Sequence, residues 1–331
     1  MSTVATPLRW SPFNGRRLVQ RNAWTLGVYV ILLALLVVYR IANGRFDSFD
    51  AQTIVGTAVP LALAAMGQAI IVLGGGIDLS IGPQMSLINV LAATWMVNAT
   101  FPQSLALSLL LLAVAVLIGA LTGAIVTWTR VPDIIVTLAT SFIWAGLAIR
   151  IMGTPGAGGA PTEFNDLVNG AVFGGVPEGL FVLIAALIVI WLPFQRSRFG
   201  LAVYAMGSNR TATYLSGISI GRTRIIAYAV GGIFTGLAGL MLSALQSGTG
   251  DPLSGNPYTL NSVAAIVLGG VSLAGGRGSL LGPLAGALVL QVINGILAAM
   301  GTDYSWTPVI QGSIVIVIVM AAGFVAIRRR A

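Results

Sequence analysis

What most limits this chain is its series of long apolar runs, such as "YVILLALLVV" from Tyr29 and "SIVIVIVMAAGFVAI" from Ser313. A spanning helix needs roughly 20 mainly apolar residues. Runs that reach or approach this length recur along the chain, at about 24–41, 54–73, 79–97, 104–128, 134–151, 179–194, 225–245, 259–274, 281–300 and 308–327. Charged residues make up only 8% of the chain and hydrophobic ones 56%, whereas a soluble domain carries about 25% charged residues. So much apolar surface cannot hide in one core, so its solvent is lipid. A backbone in lipid must satisfy its own hydrogen bonds, so the spans are helices. A β-barrel would instead show short alternating segments. The expectation is an all-α, polytopic membrane protein of about ten transmembrane helices.

The arginines orient it. With the N-terminus inside, the inner segments hold Arg9, Arg16, Arg17, Arg21, Arg130, Arg196, Arg198, Arg210, Arg222, Arg224, Arg277, Arg328, Arg329 and Arg330. The outer segments hold Arg40, Arg45 and Arg150. This positive-inside asymmetry puts both termini in the cytoplasm and favours an even number of spans. The net charge of +8 is therefore not a nucleic-acid footprint, since the cations sit at the ends of apolar runs rather than on one face. The first apolar run exceeds a signal-peptide core and is followed by Arg40, so it reads as a retained anchor. The expected layout is a cytoplasmic segment at 1–23, a permease domain at 24–327 and a short cytoplasmic tail at 328–331.

What is missing narrows the chemistry. The chain has no Cys, no His and no Lys. Zinc sites and Ser-His or Cys-His nucleophile pairs are excluded. So is a Walker A loop, which needs Gly-Lys-Ser/Thr. If ATP powers this protein, another polypeptide binds it.

Within the apolar series stands "VLGGGIDLSIG" (Val72 to Gly82). Gly74, Gly75 and Gly76 end a helix, because glycine inside one costs about 1 kcal/mol relative to Ala. Asp78 or Ser80 then suits the N-cap of the next helix. Two readings stand side by side: a well-capped turn, or a break at membrane depth lining a polar path, where a lone charge costs at least roughly 2.5–3.5 kcal/mol. A related turn occurs later: "IVLGGGIDLSIGP" (Ile71 to Pro83) resembles "IVLGGVSLAGGRGSLLGP" (Ile266 to Pro283). Helix breaks are expected near 74–80 and 269–280, either as an internal repeat or as two uses of the same helix-stopping residues. Asp78, Ser80, Gln68, Gln84, Asn89 and Asn294 are the polar candidates for a solute pathway, and each also suits a plain interhelical hydrogen bond. The glycine pairs Gly119/Gly123, Gly232/Gly236 and Gly282/Gly286 suit close helix packing within the chain.

Two connections are long. The outer one, about 152–178, is rich in Gly and Pro and holds three acids. The inner one, about 195–224, holds Arg196, Arg198, Arg210, Arg222 and Arg224. In the inner loop Asn209 can cap a short helix that ends at Gly217. Two turns are not stable alone in water, so this helix docks either on the protein's own rim or on a cytoplasmic partner.

Taken in order, "GGGIDLSIG", "GSNRTATYLSGI" and "VLGGVSLAGGRGSLLGPLAGAL" resemble the membrane subunits of bacterial ABC importers for monosaccharides, the ribose, xylose and galactose permease family, over about residues 50 to 327. The resemblance implies a ten-helix permease in the cell inner membrane, without catalytic activity, which carries sugar through the membrane. It implies as partners a cytoplasmic ABC ATPase that binds ATP-Mg, an extracytoplasmic sugar-binding protein and a second permease copy or paralogue. No cofactor is expected on this chain. It places ATPase coupling on Gly207, Asn209, Arg210, Ala212, Leu215, Ser216 and Gly217. The chain departs from the family where Arg210 replaces a common Glu, where Gly74 and Gly75 replace common Thr or Ser, and where Asp133 stands in an apolar position. A rival reading is an ion-coupled secondary transporter of a small polar solute, which needs intramembrane carboxylates. Another is an intramembrane aspartyl hydrolase using Asp78 and Asp133, whose paired geometry nothing in the sequence supports.

Overall fold

The computed structural model describes residues 15–172, 175–313, 316–317 and 320. Helices dominate: α1 (Gly15–Asn43), α2 (Ser48–Leu73), α3 (Ile81–Trp95), α4 (Phe101–Thr129) and α5 (Asp133–Ile151). After a connection come α6 (Thr162–Asn169) and α7 (Glu178–Ala186), which runs through a π-helical turn at Leu187–Trp191 into α8 (Leu192–Arg196). The chain continues with α9 (Arg198–Ser208), α10 (Arg210–Leu215), α11 (Ile220–Leu245), α12 (Asn256–Leu268) and α13 (Leu281–Ala299).

The all-α, multi-pass expectation holds. Among the described residues seven segments are long and apolar enough to cross a bilayer. They are Trp24–Asn43, Ser48–Leu73, Phe101–Thr129, Asp133–Ile151, Glu178–Arg196, Ile220–Leu245 and Leu281–Ala299. Two further expected spans correspond to the shorter α3, with 15 residues, and α12, with 13. Each abuts one of the expected helix breaks, which removes residues that an unbroken span would keep. The span expected at 308–327 and the tail at 328–331 lie largely or wholly outside the described residues. Helical structure in α1 begins at Gly15, ahead of the expected boundary at 24.

The outer connection is more ordered than its composition suggests. It holds α6, with Phe164 and Val168 buried at i and i+4. It also holds a two-stranded antiparallel hairpin, β1 (Ala171–Val172) against β2 (Val176–Pro177), with Ala171 opposite Pro177 and Val172 opposite Val176. An isolated bridge between Ala157 and Gly250 ties this connection to the segment after α11.

α2 lies at the centre and is buried almost throughout from Ala58 to Leu73. α11 packs along α4, α2 and α3, and α13 along α1, α2 and α12. Small residues set these distances, as expected where lipid gives helices no hydrophobic reason to associate. A Cβ on Gly119 of α4 would run into the Tyr228 carbonyl of α11, and one on Gly232 of α11 into the Ala115 carbonyl of α4. One on Gly286 of α13 would meet the Ala265 carbonyl of α12. The glycine pairs therefore work inside one chain. α1 and α5 instead expose Leu33, Val30, Ile135 and Phe142, the pattern of helices that face lipid.

The corner between α1 and α2 is a capping box. Asp47 accepts from the N–H groups of Phe49 and Asp50, and the Asp50 carboxylate accepts from the Asp47 N–H, Tyr39 Oη and Asn43 Nδ2. Asp50 is buried, but every oxygen has a donor.

Candidate functional site

The first break begins where α2 ends. Gly75 is left-handed (φ +84°), its N–H donates to Val72 O, and the Gly76 N–H donates to Ile71 O. This is the Schellman pattern, in which glycine at the left-handed position turns the last carbonyls back onto the chain. Asp78 Oδ1 then accepts from Ser80 N–H at 2.7 Å and from Ser80 Oγ at 2.5 Å. Gln84 Nε2 donates to the same Ser80 Oγ at 2.6 Å. The Gln68 carboxamide, one turn inside α2, is placed to donate to Asp78 O (3.0 Å) and accept from Asp78 N–H (3.3 Å). From α5, Thr137 Oγ1 accepts from Leu79 N–H and donates to Ile77 O.

Two expectations are refined here. Ser80 holds the N-cap position of α3 without a side-chain cap bond, and Asp78 caps the turn before it rather than the helix. The break is also closed. Gln68, Asp78, Ser80 and Gln84 are all buried, and they are linked through Asp78 Oδ1, Ser80 Oγ and the Asp78 main chain.

The other two pathway candidates lie elsewhere. Asn89 Nδ2 donates to Gln246 Oε1 at 2.9 Å, and Asn89 Oδ1 accepts from Asp251 N–H at 2.8 Å, joining α3 to the segment after α11. Asn294, on α13, donates to Gln291 Oε1 and accepts from Gln311 Nε2. The six residues thus form three separate groups.

The second break repeats the first one's opening. Gly270 has φ +83°, its N–H donates to Val267 O, and Val271 N–H donates to Ile266 O. The run Ile266-Val267-Leu268-Gly269-Gly270 thus makes the bonds made by Ile71-Val72-Leu73-Gly74-Gly75. Beyond it, Ser272 N–H donates to Arg277 O. α1 covers the start, with Trp24 Nε1 donating to Leu268 O at 3.0 Å.

The inner connection brings the breaks together. Gly276 N–H of the second donates to Leu73 O of the first at 2.9 Å. The end of α9 is wedged against both: a Cβ on Gly207 would overlap Leu73 O and lie 2.6 Å from Gly276 N. Ser208 Oγ donates to Gly276 O, and Tyr204 Oη donates to Gly278 O at 3.0 Å. Sequence reasoning had no signal for this three-way junction, because its bonds link main-chain atoms far apart in the chain.

α10 forms as its residues suggested. Asn209 Oδ1 accepts from Ala212 N–H at 2.9 Å, and Ser216 Oγ donates to Ala212 O. Gly217, at φ +79°, ends the helix. Thr213 is buried, whereas Tyr214 and Leu215 are 69% and 78% exposed, so an apolar face is presented to the outside. Arg210 opens α10 and, with Arg130, Asp133 and Arg224, lines a cavity of about 490 Å³. Arg224 pairs with Asp133 at 3.6 Å, and Tyr228 Oη donates to the other oxygen of that carboxylate at 3.0 Å. Asp133 is therefore an ion-paired tie between α5 and α11, a role its apolar neighbours hid. Among the described residues no cluster of three His, Cys, Asp or Glu side chains could hold a metal ion.

Long apolar helices around a core broken twice, with both breaks bonded to an inner connecting helix, define a multi-pass membrane protein of the transporter class. The chain belongs to the family described as branched-chain amino acid transport system / permease component, whose family model matches residues 51–320. It is thus a transport component and not an enzyme. Its relatives include the ribose import permease protein RbsC of Escherichia coli K12, 30% identical over 93% of this chain and 96% of that protein. The galactose/methyl galactoside import permease protein MglC of the same organism is 32% identical over 88% of this chain and 91% of that protein. The fructose import permease protein FrcC of Rhizobium meliloti is 32% identical over 88% of this chain and 82% of that protein. No solved structure matches the chain.

Proposed function

We propose that this chain is the membrane-spanning permease subunit of an ATP-driven importer for a sugar. Two copies, or this chain and a paralogue, form the pathway in the bacterial inner membrane with both termini cytoplasmic. A cytoplasmic ABC ATPase binds ATP-Mg and docks on the inner connection at 195–224. An extracytoplasmic sugar-binding protein delivers the solute. The permease domain is 24–327, flanked by the cytoplasmic segments 1–23 and 328–331. The arginine asymmetry supports the orientation, and the names of the similar permeases support sugar over amino acid.

The observation that carries the coupling role is the junction of Gly207 with Leu73 and Gly276. α10 offers Tyr214 and Leu215 to a partner, while the α9 end beside it touches both helix breaks. Closure of the ATPase pair displaces α10, and the backbone contact passes that displacement to the turn between α12 and α13, braced against the end of α2. Gly207, Asn209, Arg210, Ala212, Leu215, Ser216 and Gly217 form this lever. Gln68, Asp78, Ser80 and Gln84 hold the inner end of the pathway shut, and Asn89 and Asn294 stay with their hydrogen-bond partners along the helices.

The test is reconstitution with the cognate ATPase and binding protein. ATP-dependent sugar uptake is expected, with none from the permease alone. Ion-driven uptake by the isolated chain would favour a secondary transporter instead. Arg210→Glu and Gly217→Val are expected to weaken ATPase pull-down while the fold persists, and unchanged pull-down removes the docking role.

A further inference from the structure

The end of α2 opposite the two breaks, roughly 35 Å away along the helix axis, carries a small cavity of about 210 Å³. Its side chains are Phe49, Gln52, Thr53 and Thr57 of α2, with Asn169 of α6 and Leu245 of α11 behind them. The cavity is below the usual range for drug-sized ligands, about 300–1,000 Å³, and suits one small solute.

Its chemistry is one-sided. Among the described residues no charged side chain lines it. Asp50, beside Phe49 in sequence, directs its carboxylate to Tyr39, Asn43 and the Asp47 N–H. The polar groups present mostly acceptors. Thr53 Oγ1 already donates to Phe49 O at 2.9 Å, and Thr57 Oγ1 to Thr53 O at 2.8 Å. Asn169 Nδ2 donates to Ala244 O at 2.8 Å. Each therefore keeps free lone pairs on oxygen and no free proton, apart from one amide proton on Asn169. Gln52 makes no side-chain hydrogen bond among the described residues and has both functions to offer. Phe49 stands beside them 67% exposed, an open ring face.

A set of oxygen acceptors around one aromatic face matches a ligand that brings hydroxyl donors and an apolar C–H face. It does not match a zwitterion. A carboxylate and an ammonium here would be desolvated with no counter-charge, which is costly. We propose that this cavity is a subsite for a neutral polyhydroxylated solute, a monosaccharide or a polyol of similar size, at the mouth of the pathway. The inference rests on the sugar-importer reading and the orientation given above. In that reading the cavity faces the side from which solute arrives, and the closed breaks lie beyond it.

The absence of cysteine from the chain makes the test clean. Thr53→Cys is introduced into the full transporter, assembled with its ATPase and binding protein in proteoliposomes. It is then reacted from outside with a membrane-impermeant maleimide. Pentoses and hexoses are titrated as protectants, with leucine as the zwitterionic comparison and Ser305→Cys as the control position. The protecting sugar at twice its dissociation constant is expected to slow labelling of Thr53→Cys about threefold, since only the free site reacts. Leucine is expected to give no protection, and Ser305→Cys to react independently of sugar. Adding Phe49→Ala to Thr53→Cys is expected to remove the protection.

Three results overturn the proposal: labelling that no sugar slows, failure of Thr53→Cys to react while Ser305→Cys does, or equal protection by leucine. ATP-driven sugar uptake by the unmodified transporter is measured alongside. Uptake without protection sinks the subsite alone, whereas no sugar uptake at all sinks the importer reading.

Discussion

Ile71-Val72-Leu73-Gly74-Gly75 and Ile266-Val267-Leu268-Gly269-Gly270 stop their helices with the same two backbone bonds and the same left-handed glycine, but the turns beyond them differ. The first break is filled by buried polar side chains of the turn itself and of α2, α3 and α5: Asp78, Ser80, Gln68, Gln84 and Thr137. The second runs longer, exposes Leu273 and Arg277, and borrows its partners from α1 and α9 through Trp24 and Tyr204. The stop signal is local chemistry that one short motif can encode twice. The filling decides mechanical character. A buried turn bonded within itself opens rarely, while a turn held by outside elements moves with those elements. The first break therefore acts as the fixed side of the junction and the second as the side that α9 can move.

The largest effect is expected where the junction itself is removed. Gly207→Val would drive a branched side chain into Leu73 O and Gly276 N, where main chain cannot step aside. Overpacking of this kind costs about 3 kcal/mol or more. The expected result is poor recovery of folded protein and a lowered thermal midpoint in detergent. A variant as stable as the parent would mean that α9 does not seat between the breaks.

The next comparison swaps matching glycines. Alanine at either left-handed position is strained by about 1 kcal/mol. At Gly75 the added methyl meets nothing closer than the Gly207 Cα at 3.8 Å, whereas at Gly270 it runs into the Trp24 ring. Gly75→Ala is therefore expected to lose about 1 kcal/mol, and Gly270→Ala about 2–3 kcal/mol because clash adds to strain. Denaturant or thermal melts of the pair check the order. Equal losses would mean that α1 yields freely and does not hold the second break.

Asp78→Ala probes the filling of the first break. It strips Ser80 N–H and Oγ of their shared acceptor in a buried site, a loss of about 2 kcal/mol. Transport should fall with it, because the turn that α9 leans on loosens. Asp166→Ala, at an exposed position of α6, should stay within about 0.5 kcal/mol. Similar mild effects of both would make the polar filling ordinary.

How far the residues alone reveal this arrangement depends on how local each cause is. Both breaks and the Asn209-capped, Gly217-ended α10 were legible, because caps and left-handed glycines act over a few residues. The shortness of α3 and α12 was not, since an apolar window runs across a break without registering it. α6 is hard to see although Phe164 and Val168 show helical spacing, because two turns set among Gly and Pro give too short a periodic signal. The junction and the Asp133–Arg224–Tyr228 tie were beyond reach. They join groups 68 and more residues apart through contacts that leave no periodic trace. The polar residues Gln68, Gln84, Asn89 and Asn294 were recognisable as a set, but their division into three groups depends on which helices meet.

The smallest expected effect isolates the hold of α1 on the second break. Trp24→Phe keeps an aromatic ring over Gly270 but removes the Nε1–H that donates to Leu268 O. A single neutral hydrogen bond contributes about 1 kcal/mol, so the global melt should barely move. The informative readout is local. Amide hydrogen exchange at 269–280 should speed up while exchange at 74–80 stays as it was, because among the described residues the first break receives no hydrogen bond from α1. Joint acceleration of both would show that Gly276 N–H to Leu73 O couples the breaks so tightly that they open as one. α9 would then grip a single rigid unit, and the contrast between a fixed side and a moving side would fail.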